Sequence, residues 1–184
     1  NIINKDGNIL LYKYNGEDLK NKSSSDYEKI NSNSERIRIC FLDTETTGLN
    51  VKSDKIIEIG LLCIELNKYT GSDIEVIDFY ESLNDPGIHI PEKASLINGI
   101  KDSDVKGQII NWERVKSIFE KSQLIVAHNA GFDRPFVDKN LTLSQKKIWA
   151  CSVNDIDWDN YGFINRKQEF LCIWHGFYYD SHRA

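Results

Sequence analysis

The feature that most constrains this chain is a continuous apolar run, Ile39-Cys40-Phe41-Leu42, that ends directly on two acids, Asp43 and Glu45, with Thr44 between them. Ile37-Arg38-Ile39 begins with the alternation of a half-covered strand, and the run after it reads as a strand buried on both faces, as a central strand of a covered sheet would be. Side chains two apart on a strand point the same way, so Asp43 and Glu45 project together. Carboxylates beside an apolar core are costly to bury unless their charge is compensated. A shared divalent cation does this. Without the buried strand before it, the same pair would describe a solvated sheet edge.

A second strand, Leu124-Ile125-Val126-Ala127, leads through His128-Asn129-Ala130-Gly131-Phe132 to Asp133. Asp133 falls near the start of a helix continuing through Pro135, Phe136 and Val137, and proline is tolerated in a first helical turn. By itself such an acid reads as one favoured by the helix dipole. The rest of the chain supplies a coarse frame. Strands are predicted over 37–43, 55–66 and 74–81 as a meander of neighbours, with another at 148–153; helices are predicted over 92–98, 112–121 and 168–175. Three neighbouring strands followed by strands alternating with helices give an α/β arrangement, a mixed sheet flanked by helices.

Together these segments resemble the DEDD exonuclease superfamily, in the histidine-base branch that includes the DNA polymerase III epsilon subunit and RNase T. The resemblance is carried by Asp43-Thr44-Glu45-Thr46-Thr47-Gly48-Leu49, Ile56-Ile57-Glu58-Ile59-Gly60, His128-Asn129-Ala130-Gly131-Phe132-Asp133 and His182-Arg183-Ala184. Of these, Ile56 to Gly60 mostly describes a buried strand. Pro86 to Pro91 and Ile97 to Ile100 also look like the family's connecting segment. The resemblance implies a ribonuclease H-like fold for residues 37–184. It also implies metal-dependent 3′-to-5′ exonuclease activity, with DNA slightly favoured over RNA, in a proofreading or processing role.

What the resemblance implies for individual residues is specific. Asp43, Glu45 and Asp133 are expected to ligate two Mg²⁺ or Mn²⁺ ions, with Asp43 bridging them. His182 is expected to be the general base and His128 a packing or substrate-contact residue. Thr46 would meet the terminal 3′ oxygen through its backbone N–H, Leu49 would wedge against the terminal bases, and Phe132 would offer a stacking face. Gly48 would let the chain turn between Thr46 and Leu49. The expected partners are single-stranded nucleic-acid 3′ ends, together with a polymerase subunit or a second copy.

The family's last motif reads His-x-Ala-x-x-Asp, whereas this sequence stops at Ala184, short of the final acid. We expect the natural chain to continue, because the sequence begins with Asn1 and ends inside a motif. The rival expectation is a non-catalytic nucleic-acid or polymerase-binding module with the same fold.

Composition narrows the remaining classes. At 184 residues the chain fits one core plus an N-terminal region of a strand (8–14) and a polar linker (20–34), giving an expected boundary at residue 36. The net charge of -5 argues against the broad basic surface of a duplex-coating protein, though not against a nuclease that grips single strands by stacking and a few basic groups. No apolar run approaches the ~20 residues needed to span a bilayer, so a cytoplasmic location is expected. Cys40, Cys63, Cys151 and Cys172 are widely spaced without C-x-x-C and are expected to be reduced, buried thiols.

Overall fold

The structure, a computed structural model, describes residues 11–13, 35–179 and 182–184. In chain order its principal elements are β1 (Tyr12–Lys13), β2 (Arg36–Thr46), β3 (Ile56–Asn67), β4 (Glu75–Leu83), α1 (Glu92–Asn98), α2 (Asp102–Val105), α3 (Trp112–Lys121), β5 (Leu124–Ala127), α4 (Ala130–Asn140), β6 (Ile148–Cys151), α5 (Gln168–Trp174) and β7 (Phe177–Tyr178). Five strands form one mixed sheet in the order β4-β3-β2-β5-β6. The meander predicted from the sequence makes its antiparallel half, β2 with β3 and β3 with β4. The half beyond β2 is parallel, β2 with β5 and β5 with β6. Parallel neighbours require long crossovers, which is why helices occupy these connections.

The two faces of β2 are covered unequally. Cys40 and Leu42 join Ile59, Leu61 and Cys63 of β3 and Ile125 of β5 in the main core, beneath Val115, Ile118 and Phe119 of α3 and Phe136 and Val137 of α4. Each fully buried aliphatic side chain here contributes about 1.5–3 kcal/mol of transfer free energy. On the opposite face Ile39 is half-buried and Phe41 is 40% exposed, so the expectation of burial on both sides is corrected. This is the face that carries Asp43 and Glu45. A smaller cluster of Ile57, Ile90, Ile100 and Val105 anchors α1 and α2 beside the sheet.

Several boundaries also differ from the sequence expectation. β2 runs on to Thr46, so both acids lie within paired strand, and a register shift between Glu45 and Thr46 ends the regular ladder. The strand predicted to reach residue 153 stops at Cys151, whose N–H is taken by the Asp155 carboxylate. The helix carrying Asp133 starts earlier than Pro135 implied, at Ala130, so Pro135 lies inside it rather than in its first turn. Of the four free cysteines, Cys40 and Cys63 are buried, while Cys151 and Cys172 are half-buried, which corrects that expectation for the second pair. Of the N-terminal strand expected over 8–14, Tyr12 and Lys13 pair in parallel with Phe177 and Tyr178. The polar stretch 20–34 lies outside the described residues. No helix among the described residues is long and apolar enough to cross a membrane.

Candidate active site

The acids meet because two neighbouring strands end on the same side of the sheet. β5 pairs with β2 as far as Ala127 opposite Leu42, and the chain then turns at Asn129, which adopts φ 76. Asparagine tolerates this left-handed geometry better than most side chains. The turn starts α4 and returns Asp133 to β2. There Asp133, 1% exposed, accepts hydrogen bonds from the Thr44 backbone N–H (3.1 Å) and the Thr44 hydroxyl (2.7 Å) at Oδ1. The third acid is thus tied to the residue between the other two.

Asp43, Glu45, Thr46, Leu49, Phe132, Asp133 and His182 all line one open cleft of about 1030 Å³. All seven candidate residues are therefore brought together. Leu49 is 83% exposed at the cleft, while Phe132 is half-buried and packs on Phe136 at 5.3 Å between ring centroids. Thr46 is buried, its hydroxyl donating to the Gly48 carbonyl at 2.7 Å. His182 is exposed, with its ring edge-on to Tyr179 at 5.6 Å.

His128 also lines the cleft, but both its nitrogens are engaged, Nε2 with the Arg166 carbonyl (2.9 Å) and Nδ1 with the Ser152 hydroxyl (2.8 Å). A carbonyl only accepts, so Nε2 carries the proton and Nδ1 accepts from Ser152. Burial lowers the pKa of this imidazole, which favours the neutral ring.

Burial is the largest influence on each acid. It pushes the Asp43 carboxyl up to about 8, reinforced by the charges of Asp133 and Glu45. Burial raises Glu45 to about 7 against a hydrogen bond from Asn98, and Asp133 to about 6 against the bonds from Thr44. Three carboxylates that resist ionising together, all offering hard oxygen donors, suit a hard divalent cation. Among the described residues no group of three or more His, Cys, Asp or Glu side chains already forms a metal-holding cluster, and Asp133 turns Oδ1 toward Thr44. The donor set fits the ion in chemistry.

These shifts carry a sign for stability. A carboxyl raised in the folded state favours the protonated form, so its contribution is complete below about pH 4 and is lost as pH rises through about 6 to 8. Thermal unfolding in the presence of a chelator is expected to show Tm falling across that window. In Asp43→Asn the fall should be shallower. A Tm that rises from pH 5 to pH 8 would contradict the electrostatic picture.

Gly48 has a packing role besides the turn expected from the sequence. A Cβ there would stand 2.6 Å from Asp54 Oδ2, the atom that accepts the Asn50 N–H at 2.7 Å. Gly48→Ala is therefore expected to destabilise the protein by about 1–3 kcal/mol, read from denaturant unfolding. A change below about 0.5 kcal/mol would show that the loop yields freely.

Several cleft residues were not singled out from the sequence. Asn98, 2% exposed at the end of α1, hydrogen-bonds Glu45. Lys93, Arg166 and Lys167 add positive charge to the lining. Outside the cleft lining, Glu58, read as part of a buried strand, is fully buried and held by Arg183. A lone acid inside the apolar run Ile56 to Ile64 was the available signal, since such a charge needs a partner.

A mixed sheet flanked by helices, with its central strand presenting acids to an open cleft, is an α/β fold of ribonuclease H-like architecture. Residues 40–164 match the family model described as Exonuclease, and the chain belongs to that family, which is divalent-metal dependent. The matched range includes Asp43, Glu45 and Asp133 and stops before His182. Among curated relatives, the chain is 38% identical over 101 residues to a DNA polymerase III PolC-type from Clostridium perfringens, covering 54% of this chain and 6% of that protein. It is 32% identical over 135 residues to a DNA polymerase III subunit epsilon from Treponema pallidum, covering 70% of this chain and 58% of that one. The chain thus spans less than two thirds of these relatives' lengths. Among solved structures, E. coli exonuclease I in complex with a 5cy-dA13 oligonucleotide shares the fold, with TM-score 0.52 and 19% identity over 64% of this chain and 28% of that one.

Proposed function

We propose that this domain is a 3′-to-5′ exonuclease that removes nucleotides from single-stranded DNA ends in the cytoplasm, as a proofreading activity partnered with a replicative polymerase. The observation that carries this reading is the meeting of Asp43, Glu45 and Asp133 at one cleft, with Asp133 fastened to Thr44. The polymerase III names of its relatives support DNA and the polymerase partner.

Asp43, Glu45 and Asp133 would hold two Mg²⁺ or Mn²⁺ ions. When bound, the pair supplies positive charge to the attacking and leaving oxygens of a phosphodiester. Thr44 orients Asp133, and Asn98 orients Glu45. His182 takes a proton from the attacking water, a role suited to an imidazole near neutral pH. As water adds to phosphorus, the bond to the 3′ oxygen of the preceding nucleotide breaks and a nucleoside 5′-monophosphate leaves. The Thr46 N–H meets the terminal 3′ oxygen, exposed Leu49 wedges against the terminal base, and Phe132 provides an apolar face. Lys93, Arg166 and Lys167 attract the backbone phosphates into an otherwise acidic protein.

The test gives the protein, expressed with any natural sequence beyond Ala184, a labelled oligonucleotide with Mg²⁺, presented as DNA or RNA and with a free or blocked 3′ hydroxyl. Stepwise shortening of DNA from the free 3′ end is the expected result. Cleavage indifferent to the 3′ block would sink the exonuclease polarity, and tight binding without cleavage would identify a non-catalytic module. Faster shortening of RNA would overturn the DNA assignment alone.

A further inference from the structure

Glu58 is a fully buried acid for which the reaction above has no use. On β3 it is the direct cross-strand partner of Glu45, and Gly60, two residues on, is the partner of Asp43. Directly opposed residues share a face of the sheet. Glu58 and Gly60 therefore underlie the same surface as the two acids.

What covers them is the segment that carries His182. Arg183 grips the Glu58 carboxylate with two nitrogens, Nε lying 2.8 Å from Oε2 while Nη2 bonds Oε1. The Ala184 backbone N–H adds a third donor, 3.0 Å from Oε2. Beside it the Ala184 backbone lies so close to β3 that a Cβ on Gly60 would stand 2.3 Å from the Ala184 carbonyl carbon. One residue of β3 bonds the segment and the other leaves room for it.

We propose that Glu58 and Gly60 form a docking seat for the 182–184 segment, acting as positioning residues that hold His182 at the cleft. His182 is exposed, so its place is set largely by its neighbours in the chain. Glu58 is fully buried while the Arg183 side chain stays 43% exposed, so desolvating the acid offsets much of the pair's attraction and little stability is gained. A two-point grip does, however, fix direction, as bidentate guanidinium–carboxylate pairs do. The proposal rests on the exonuclease reading for its kinetic consequence, though not for its geometry.

The test uses protein expressed with whatever sequence naturally follows Ala184. Arg183→Met is expected to lower kcat about 100-fold, the scale of an ångström-level misplacement. KM for a single-stranded oligonucleotide should stay within about threefold, and Arg183→Lys should recover part of the rate. Gly60→Ala should produce the same kcat loss. Glu58→Gln combined with Arg183→Met should be no slower than the worse single variant, because both remove one device. Amide hydrogen exchange provides a readout independent of activity: the Ala184 N–H should be protected in the parent and exposed in Arg183→Met. An unchanged kcat in Arg183→Met, or losses that multiply in the double variant, would overturn the seat. So would unaltered protection of the Ala184 amide. If the parent protein fails to shorten 3′ ends while the Ala184 amide responds as expected, the exonuclease reading falls and the seat stands.

Discussion

Replacing Asp43 with alanine is expected to lower exonuclease turnover by about 10³-fold or more while leaving the metal-free protein at least as stable as the parent. The first half follows from its position, because Asp43 faces the same cleft as both other acids and carries the most strongly raised carboxyl of the three. Removing one of three acids that converge on a single cleft impairs the site as a unit, and effects of that kind are far from additive. The second half follows from repulsion. In the absence of metal Asp43 is held among Glu45, Asp133 and Glu58, all of which oppose its ionisation. Above pH 8 the variant should therefore melt higher than the parent in chelator and gain less from added Mg²⁺. A parent-like rate, or collapse of the fold, would contradict the assignment.

His182→Ala is expected to slow hydrolysis by about 10²- to 10⁴-fold, the usual contribution of a positioned general base. Divalent-ion affinity should change little, since the side chain is exposed on a different segment from the acids and packs against Tyr179. Single-turnover rates measured beside Mn²⁺ titrations separate the two effects. The same substitution at His128 should act through the local fold, because that ring is spent on Ser152 and Arg166. If His182→Ala leaves the rate intact, the proton goes elsewhere.

Much of this architecture was legible in the sequence because its strands and longer helices have strong periods. The limits of α1 and α3 and of β5 follow the pattern directly, and the meander of β2, β3 and β4 was implied by short turns between apolar runs. The short helix α2, four residues long, has too little repeat to register. Phe41 was misread for a physical reason. A continuous apolar run looks doubly buried, yet this strand leaves one face partly open toward a cleft. The acid pairs were found through motif spacing, whereas Glu58 was hidden by the same apolar context that makes it unusual. Arg183 lies 125 residues away in sequence from its partner, a distance at which local pattern carries no information. The basic lining comes from Lys93 and the adjacent Arg166-Lys167, two separate segments that only the fold assembles.

The most direct test of the account is a crystal structure of this domain with Mn²⁺ and a short single-stranded oligonucleotide, read by anomalous scattering from the metal. Anomalous peaks are expected between the Asp43 and Glu45 carboxylates and within reach of Asp133, with the terminal 3′ nucleotide beside them. A cleft without such a peak under saturating Mn²⁺, or metal bound only elsewhere on the surface, would contradict it.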